Sequence, residues 1–132
     1  MSEITDASAA QLLIGYVIAV EGEGRVLARL EVEARHGNRA GVLHGGIASA
    51  LLDVAMGTAS ATRADPSGRA PMATISMTTQ FLAPVPLGQR VEARARIVGG
   101  GRRLIFCEAA LHLADGTLAA TAAGVFRTIR AG

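Results

Sequence analysis

The sequence predicts an α+β fold in which a curved antiparallel β-sheet wraps around one long central α-helix. Residues 45–62 are helix-like and apolar on nearly every side, so this segment must be buried on nearly every side. Four strand-like segments joined by short turns follow it, and a strand hairpin precedes it. With 132 residues the chain has the length of one domain, residues 1–132.

The N-terminal part, residues 1–14, is predicted to hold one short helix. Thr5 or Asp6 offers the side-chain acceptor that caps a helix, and apolar residues follow. Residues 16–20 are then apolar enough to form an extended segment. A helix followed by a strand is therefore expected before the first clear turn.

The first clear strand is predicted over residues 25–33. Its side chains alternate with the two-residue period of a half-buried strand. Val26, Ala28, Leu30 and Val32 share one side, and Leu27, Arg29, Glu31 and Glu33 share the other. The turn-forming residues 21–24 make this strand the return arm of a hairpin.

The long helix over residues 45–62 is rich in Ala and Leu. One apolar face repeats at spacings of three and four residues and comprises Ile47, Ala50, Leu51, Val54 and Thr58. The other face carries Ser49, Asp53, Met56, Gly57 and Ser60. The many small side chains would let a sheet or a second backbone approach this helix closely.

Four strand-like segments come after a loop at residues 64–69. They span residues 71–82, 89–98, 102–113 and 117–129. Turn residues separate them, namely Pro84, Pro86 and Gly88, then residues 99–101, then Asp115 and Gly116. Short turns between successive strands predict an antiparallel meander rather than a parallel sheet.

Composition narrows the class of partner. The net charge is +2, and the 13 basic residues, all Arg, are dispersed among acids without a basic stripe, which argues against a nucleic-acid partner. Cys107 is the only cysteine, so an intrachain disulfide and a thiolate metal site are excluded. The acidic N-terminus and an apolar stretch interrupted by Asp53 predict neither a secretory signal nor a membrane span. We expect a cytoplasmic protein without a metal.

His44, Gly45 and Gly46 lead from a polar loop into the long helix. The first backbone N–H groups of a helix have no partner within it, and with the helix dipole they favour negative charge. They would stabilise an oxyanion developing on a substrate carbonyl, which glycine allows to approach closely. A tight turn into the helix also explains the glycines, and the sequence leaves both interpretations open.

Asp53 is the one carboxylate of the long helix and lies among leucine, valine and alanine residues. Burying a lone charge costs several kcal/mol, which favours a functional site over a satisfied interface residue. Asp53 follows His44 by nine residues, a separation of roughly 13 Å along a helix. The two cannot readily meet within one chain. A shared site would combine the loop of one subunit with Asp53 of another across a two-fold axis.

Other polar residues are less informative. Thr74 begins a run of hydroxyl residues on a strand that should flank the helix, where a hydroxyl could position a water or bind the carboxylate. Most strand threonines only stabilise the strand. His36 and His112 lack the spacing of metal ligands, and Cys107 lies in an alternating strand that favours core packing over a nucleophilic role.

Asn38, Gly41, His44-Gly45-Gly46 and Asp53 follow one another in an order and spacing that resembles the central motif of the hotdog-fold thioesterases. The resemblance is to the phenylacetic-acid-degradation type, which includes small acyl-CoA thioesterases. Later matching features are Phe81-Leu82-Ala83-Pro84, Leu87-Gly88, Gly101-Arg102, Asp115-Gly116-Thr117-Leu118-Ala119 and Gly124. The similarity covers most of the chain from about Gly15.

This resemblance implies a role for each motif residue. Asp53 would act as base or nucleophile on a thioester, and Gly45 would supply an oxyanion-hole amide. Asn38 would orient the attacking water or the carboxylate, His44 would lie beside the thioester carbonyl, and Thr74 would assist the water. The resemblance also implies a homodimer with composite sites, often paired as a homotetramer, and leaves the acyl group open. Candidates for the acyl pocket wall are Tyr16, Met56, Met72, Met77 and Phe81.

The resulting hypothesis is an acyl-CoA hydrolase that needs no metal or redox cofactor. Surface arginines would bind the phosphates of CoA, and the candidates are Arg39, Arg63, Arg69, Arg102 and Arg103. Three alternatives stay open: an acyl carrier in place of CoA, a hotdog hydratase or dehydratase, and a noncatalytic acyl-CoA-binding protein.

Overall fold

A computed structural model of the chain describes residues 1–129 and confirms the predicted α+β fold. The strands are β1 (Ser2–Glu3), β2 (Val17–Gly22), β3 (Arg25–Glu31), β4 (Met72–Phe81), β5 (Arg90–Gly100), β6 (Leu104–Leu113) and β7 (Leu118–Thr128). The helices are α1 (Ala9–Ile14) and α2 (Gly45–Ala61), with a 3-10 turn at Ala34–His36. Neighbouring strands pair antiparallel in one sheet, and α2 packs against every strand from β2 to β7.

The N-terminal helix begins later than the sequence predicted. Ser8, rather than Thr5 or Asp6, caps α1, because the Ser8 hydroxyl oxygen accepts from the Gln11 N–H at 3.1 Å. Asp6 has a different partner, since its carboxylate forms an ion pair of 2.7 Å with Arg69. The predicted hairpin then follows, with β2 and β3 paired.

Helix α2 has nearly the predicted bounds, but its buried side is rotated from the predicted one. The fully or almost fully buried apolar side chains are Ala48, Leu51, Leu52, Ala55, Met56, Ala59 and Ala61. Ile47, Ala50 and Val54 stay partly exposed, on the same side as Asp53 and Gly57. Periodicity could not select the side because almost every position is apolar. No helix within residues 1–129 has the length and apolarity to cross a membrane.

Strand β4 does not occupy the predicted place in the sheet. Strands β5, β6 and β7 form a meander, but β4 pairs with β7, which gives the order β1-β2-β3-β5-β6-β7-β4. Residues 82–89 are a packed crossover rather than a tight turn, because Val85 is buried and its carbonyl accepts from the Leu43 N–H at 2.8 Å. Strand β4 is therefore left at the edge of the described sheet, with β7 on one side only.

Candidate active site

A short loop leads into α2 and is held by its own asparagine. The side-chain oxygen of Asn38 accepts hydrogen bonds from the Ala40 N–H at 2.9 Å and the Val42 N–H at 3.2 Å. Gly41 has a φ of 78°, in the left-handed region that favours glycine. Because the oxygen is engaged inside the loop, the NH₂ group is the part of Asn38 left to reach a water or a carboxylate.

His36 anchors this loop to the N-terminal helix. The ring is 2% exposed, its Nδ1 accepts from the Glu33 N–H at 2.9 Å, and its Nε2 lies 2.8 Å from the Ile14 carbonyl oxygen. Since Nδ1 accepts, the neutral ring carries its proton on Nε2 and donates it to Ile14. The His36 carbonyl accepts from the His44 N–H at 2.8 Å, which fixes where the loop enters α2.

The first turn of α2 leaves one backbone donor open. His44 caps the helix, with its Nδ1 accepting from the Gly46 N–H at 2.8 Å, so its neutral ring carries a proton on Nε2. The Ile47 and Ala48 N–H groups donate to the His44 carbonyl. The Gly45 N–H has no hydrogen-bond partner in the described part of the chain. An open N–H at a helix N-terminus is suited to an oxyanion.

Asp53 projects from the middle of α2 toward β4. The Thr74 hydroxyl donates to Asp53 Oδ1 at 2.7 Å, and Asp53 is partly exposed. Among residues 1–129 no other side chain donates a hydrogen bond to this carboxylate, so Oδ2 is open to a ligand. The structure therefore brings together two of the predicted site residues and selects Thr74 from the hydroxyl residues of its strand.

The open amide and the carboxylate do not meet within one chain. Asp53 lies eight residues after Gly45 in α2, which is roughly 12 Å along the helix. Gly45 lies instead beside Phe81, since a methyl group added to Gly45 would come 3.6 Å from the Phe81 ring. Phe81 and Thr74 stand near opposite ends of β4. Within one chain the Gly45 N–H and the Asp53 carboxylate are therefore separate features.

A cavity of about 530 Å³ opens beside Asp53, between α1, β2, α2 and β4. Tyr16 lines it and is 6% exposed. Burial raises the pKa of the Tyr16 phenol above its ordinary value, the nearby Ser8 side chain lowers it in part, and the negative charge of Asp53 raises it further. The phenol is therefore protonated at neutral pH, next to the carboxylate.

The five predicted pocket-wall residues separate into three groups. Tyr16 and Met72 line the cavity beside Asp53, and Phe81 lines a second cavity of about 350 Å³ beside Gly45. Met56 is fully buried and Met77 packs against the core, and neither lines these two cavities. The sequence did not reveal that Gln11 of α1 and the capping residue Ser8 supply part of the cavity wall, because nothing in a six-residue helix marks it as close to a distant carboxylate.

The five arginines predicted to bind phosphate lie in three places. Arg39 is on the loop beside His44. Arg69 pairs with Asp6, so its charge holds the N-terminal segment against the loop before β4. The remaining three predicted arginines line one cavity beyond the C-terminal end of α2, together with an arginine that the sequence did not single out: Arg63, Arg102, Arg103 and Arg127.

Cys107 lies in the core, as its alternating strand predicted. The side chain is 1% exposed, and its sulfur lies 3.5 Å from the Met56 carbonyl oxygen. Burial raises the pKa of the thiol to about 11, so it is not a nucleophile at neutral pH. No group of three His, Cys, Asp or Glu side chains that could hold a metal ion occurs among residues 1–129.

A curved sheet around a single helix, with a strand hydroxyl on a mid-helix carboxylate and an open amide at the helix start, defines the hotdog-fold thioesterase class. The sequence model of the thioesterase superfamily matches residues 40–120. The chain belongs to this superfamily.

Individual relatives agree with this assignment. A Pseudomonas aeruginosa protein named as an esterase is 32% identical over 106 residues, which cover 80% of this chain and 77% of that protein. Human acyl-coenzyme A thioesterase 13 is 29% identical over 104 residues, covering 78% of this chain and 72% of its own length. A solved structure of the phenylacetic acid degradation protein PaaI from Thermus thermophilus is 29% identical, with a TM-score of 0.82 over 92% of this chain and 100% of that chain.

Proposed function

We propose that the protein is a cytoplasmic homo-oligomeric hydrolase that cleaves acyl-CoA thioesters to a free acid and CoA. One observation carries the proposal: the Asp53 carboxylate, held by the Thr74 hydroxyl at 2.7 Å, stands beside a mostly apolar cavity. Membership of the thioesterase superfamily and similarity to human acyl-coenzyme A thioesterase 13 support the reaction and the CoA carrier. The free, buried Cys107 is consistent with a reducing compartment.

In this proposal the thioester lies between Asp53 and the Gly45 N–H, with its acyl group in the cavity beside Asp53. Acting as a base, Asp53 takes a proton from a water whose oxygen bonds to the carbonyl carbon. The carbonyl oxygen becomes an oxyanion that the Gly45 N–H and the helix dipole stabilise. Collapse breaks the carbon–sulfur bond, and the leaving thiolate takes the proton back from Asp53. The His44 Nε2–H lies beside the carbonyl, and the Asn38 NH₂ group orients the water.

The same geometry serves a nucleophilic route. Asp53 Oδ2 then bonds to the carbonyl carbon, the thiolate leaves, and water hydrolyses the resulting anhydride. A single turnover in ¹⁸O-labelled water detects a nucleophilic route in which water attacks the Asp53 carbonyl of the anhydride. The base route puts the label into the first acid released, whereas attack of water on the Asp53 carbonyl of the anhydride gives an unlabelled first product.

A complete site requires two chains, and β4 is the strand that can join them. It is ten residues long, and within the described sheet it has β7 on one side and no strand on the other. A long open edge is a template for pairing with another chain. Two β4 strands that pair antiparallel about a two-fold axis extend the sheet through both subunits.

The Gly45 N–H and the Asp53–Thr74 pair, which are the two half-sites of the proposed active site, fix the register of that pairing. When Thr74 of one chain stands opposite Phe81 of a second copy, the axis passes through the centre of β4. The same rotation brings Gly45, which lies beside Phe81, toward Asp53, which is bonded to Thr74. The midpoint between Gly45 and Asp53 in α2 is Ser49. The same two-fold axis can therefore relate the two β4 strands at their centre and the two α2 helices at Ser49.

The surface of α2 near this axis suits close approach of a second helix. Gly46, Ser49 and Ala50 are small, and none of them is fully buried. Small side chains at a contact shorten the distance between helix axes. We assign a second contact, which pairs two dimers into a tetramer, to the outer face of the sheet, where Val98, Leu104 and Phe106 are exposed. Light scattering distinguishes a dimer from a tetramer.

The proposed reaction is tested by following free thiol release from acetyl-, phenylacetyl-, octanoyl- and palmitoyl-CoA. We expect the phenylacetyl and octanoyl esters to exceed acetyl-CoA in kcat/KM, because an acetyl group leaves most of the 530 Å³ cavity without apolar contact. Asp53→Asn should lower kcat by about 100-fold or more. Asp115→Asn, in the exposed β6–β7 turn, is the matched control and should match wild type.

Three results would contradict the proposal in different ways. Tight CoA binding without thiol release from any ester would favour a noncatalytic binding protein. Addition of water to an enoyl-CoA, without thiol release, would favour a hydratase. Wild-type rates in Asp53→Asn would remove Asp53 from the mechanism while leaving the activity in place.

A further inference from the structure

The arginines of this chain divide into those with a carboxylate partner and those without. Ion pairs engage Arg29, Arg35, Arg69, Arg90, Arg94 and Arg96. Within residues 1–129 no ion pair is formed by Arg25, Arg39, Arg63, Arg102, Arg103 or Arg127. The last four of these line a single cavity of about 900 Å³ and are named here the arginine cluster.

Three elements build the arginine cluster. Arg63 follows the C-terminal end of α2, and its Nη1 donates to the Gly101 carbonyl at 3.0 Å. Arg102 and Arg103 form the tip between β5 and β6, where the Thr128 hydroxyl donates to the Arg102 carbonyl at 3.0 Å. Arg127 lies near the end of β7. The tip is therefore tied both to α2 and to β7.

A glycine fixes the shape of that tip. Gly100 has a φ of 95°, and a Cβ there would clash with the Leu104 carbonyl oxygen. No other residue fits without moving the backbone. Strand β5 therefore continues to Gly100, into the turn that the sequence placed at residues 99–101, and Arg102 and Arg103 follow at the exposed tip.

The cavity of the arginine cluster collects positive charge without a compensating acid. Among residues 1–129 its lining contains four arginines and no Asp or Glu. Guanidinium groups bind phosphate with paired N–H donors, and several together suit a ligand with more than one phosphate. We propose that the arginine cluster binds the phosphate groups at the nucleotide end of the CoA thioester. This assignment rests on the proposed function, because it takes the thioester to be seated at Asp53.

The distance from Asp53 to the arginine cluster matches the length of the pantetheine arm of CoA. Thr62 at the end of α2 lies nine residues after Asp53, roughly 13 Å along the helix. The pantetheine arm of CoA spans about a dozen bonds between sulfur and phosphate, as many as four extended peptide residues, or roughly 14 Å. The pairing of β4 with β7 also brings Asp53 and the arginine cluster near each other. Met72, two residues before Thr74 on β4, pairs with Thr128, which is next to Arg127.

The test compares three thioesters with the same acyl group, carried by CoA, by dephospho-CoA and by pantetheine. The variant is Arg102→Ala with Arg103→Ala, both at exposed positions where truncation should leave the fold intact. Arg90→Ala is the control, because it removes one positive charge at the opposite end of β5. Calorimetric binding of free CoA and of pantetheine provides a readout that does not depend on hydrolysis.

We expect the double variant to lose about tenfold or more in kcat/KM on the CoA ester, since charge-assisted bonds to phosphate are the strong ones. The pantetheine ester should stay within about twofold of wild type, and the dephospho-CoA ester should fall between. Free CoA should bind wild type and Arg90→Ala more tightly than the double variant. Added salt should weaken the advantage of CoA over pantetheine.

Unchanged CoA kinetics and unchanged CoA binding in the double variant would overturn the assignment, even with full hydrolytic activity. An equal loss on the pantetheine ester would also overturn it, because phosphate contacts cannot affect a substrate that lacks phosphates. If wild type hydrolyses none of the esters, the proposed function fails, and CoA binding still decides the phosphate site.

Discussion

Replacing Thr74 by Val removes one hydroxyl from the site and little else. Threonine and valine have nearly the same shape, and β4 accepts either because both are β-branched. The lost contact is the 2.7 Å hydrogen bond to Asp53 Oδ1. A hydrogen bond to a charged group contributes about 1.5–3 kcal/mol. Asp53 is partly exposed, so water replaces part of this contact, and we take the lower end, about 1.5 kcal/mol or about tenfold in rate.

The assay is kcat/KM on the best acyl-CoA of the panel, with Thr74→Ser beside Thr74→Val. Serine keeps the hydroxyl and should stay within about threefold of wild type, whereas valine should lose about tenfold. Thermal unfolding of both variants controls for a change in the fold. Equal rates for valine and wild type would refute the positioning role. Equal losses in both variants would show that packing, not the hydroxyl, is what matters at Thr74.

Three further predictions concern other parts of the molecule. Cys107 should not react with a thiol reagent at pH 8 in the native state and should react once unfolded. Because burial raises the pKa of its thiol from 9.0 to about 11, the folded state holds the proton more tightly than the unfolded state, and the free energy of unfolding should fall as pH rises through that range. His36→Leu should cost about 2–4 kcal/mol in urea unfolding, because it leaves the Glu33 N–H and Ile14 carbonyl unpaired, whereas His112→Leu on the partly exposed face of β6 should change stability little. Ser49→Arg should give a folded, inactive monomer by sedimentation, because two like charges would meet on the axis, and an active dimer would contradict the proposed axis.

The sequence predicted the helix, the hairpin and the later strands because each shows its own period or turn residues. It failed where the choice depended on the whole fold. Helix α2 is apolar on both sides, so only packing shows that Ala48, Leu52 and Ala55 face the sheet. The place of β4 was missed because adjacency in sequence favours pairing with β5, whereas the crossover at residues 82–89 carries the chain past it.

The candidate site was predicted in part for similar reasons. Asp53 stood out as the one carboxylate of an apolar helix, and the resemblance to hotdog thioesterases led to Thr74, which the structure places against it. The sequence did not point to Arg127 as a phosphate-binding candidate, because its proximity to Arg63 depends on where β7 and α2 end. The engaged oxygen of Asn38 likewise depends on how its loop closes.

The central claim is that each active site joins Asp53 of one chain to the Gly45 N–H of another. Gly45→Pro removes that N–H cleanly, because Gly45 is the first helical residue, where proline is favoured, and His44 before it is extended with a ψ of 131°. Paired with Asp53→Asn, it gives two inactive chains that each keep one half-site intact.

Mixing these two chains is the most direct measurement. Each chain alone should be inactive, and after equal mixing and subunit exchange half of the dimers should hold one intact site, which restores about a quarter of the wild-type sites. Thiol release at about a quarter of the wild-type rate is the predicted result. No recovery, with exchange verified by mass and both variants folded, would contradict the composite site.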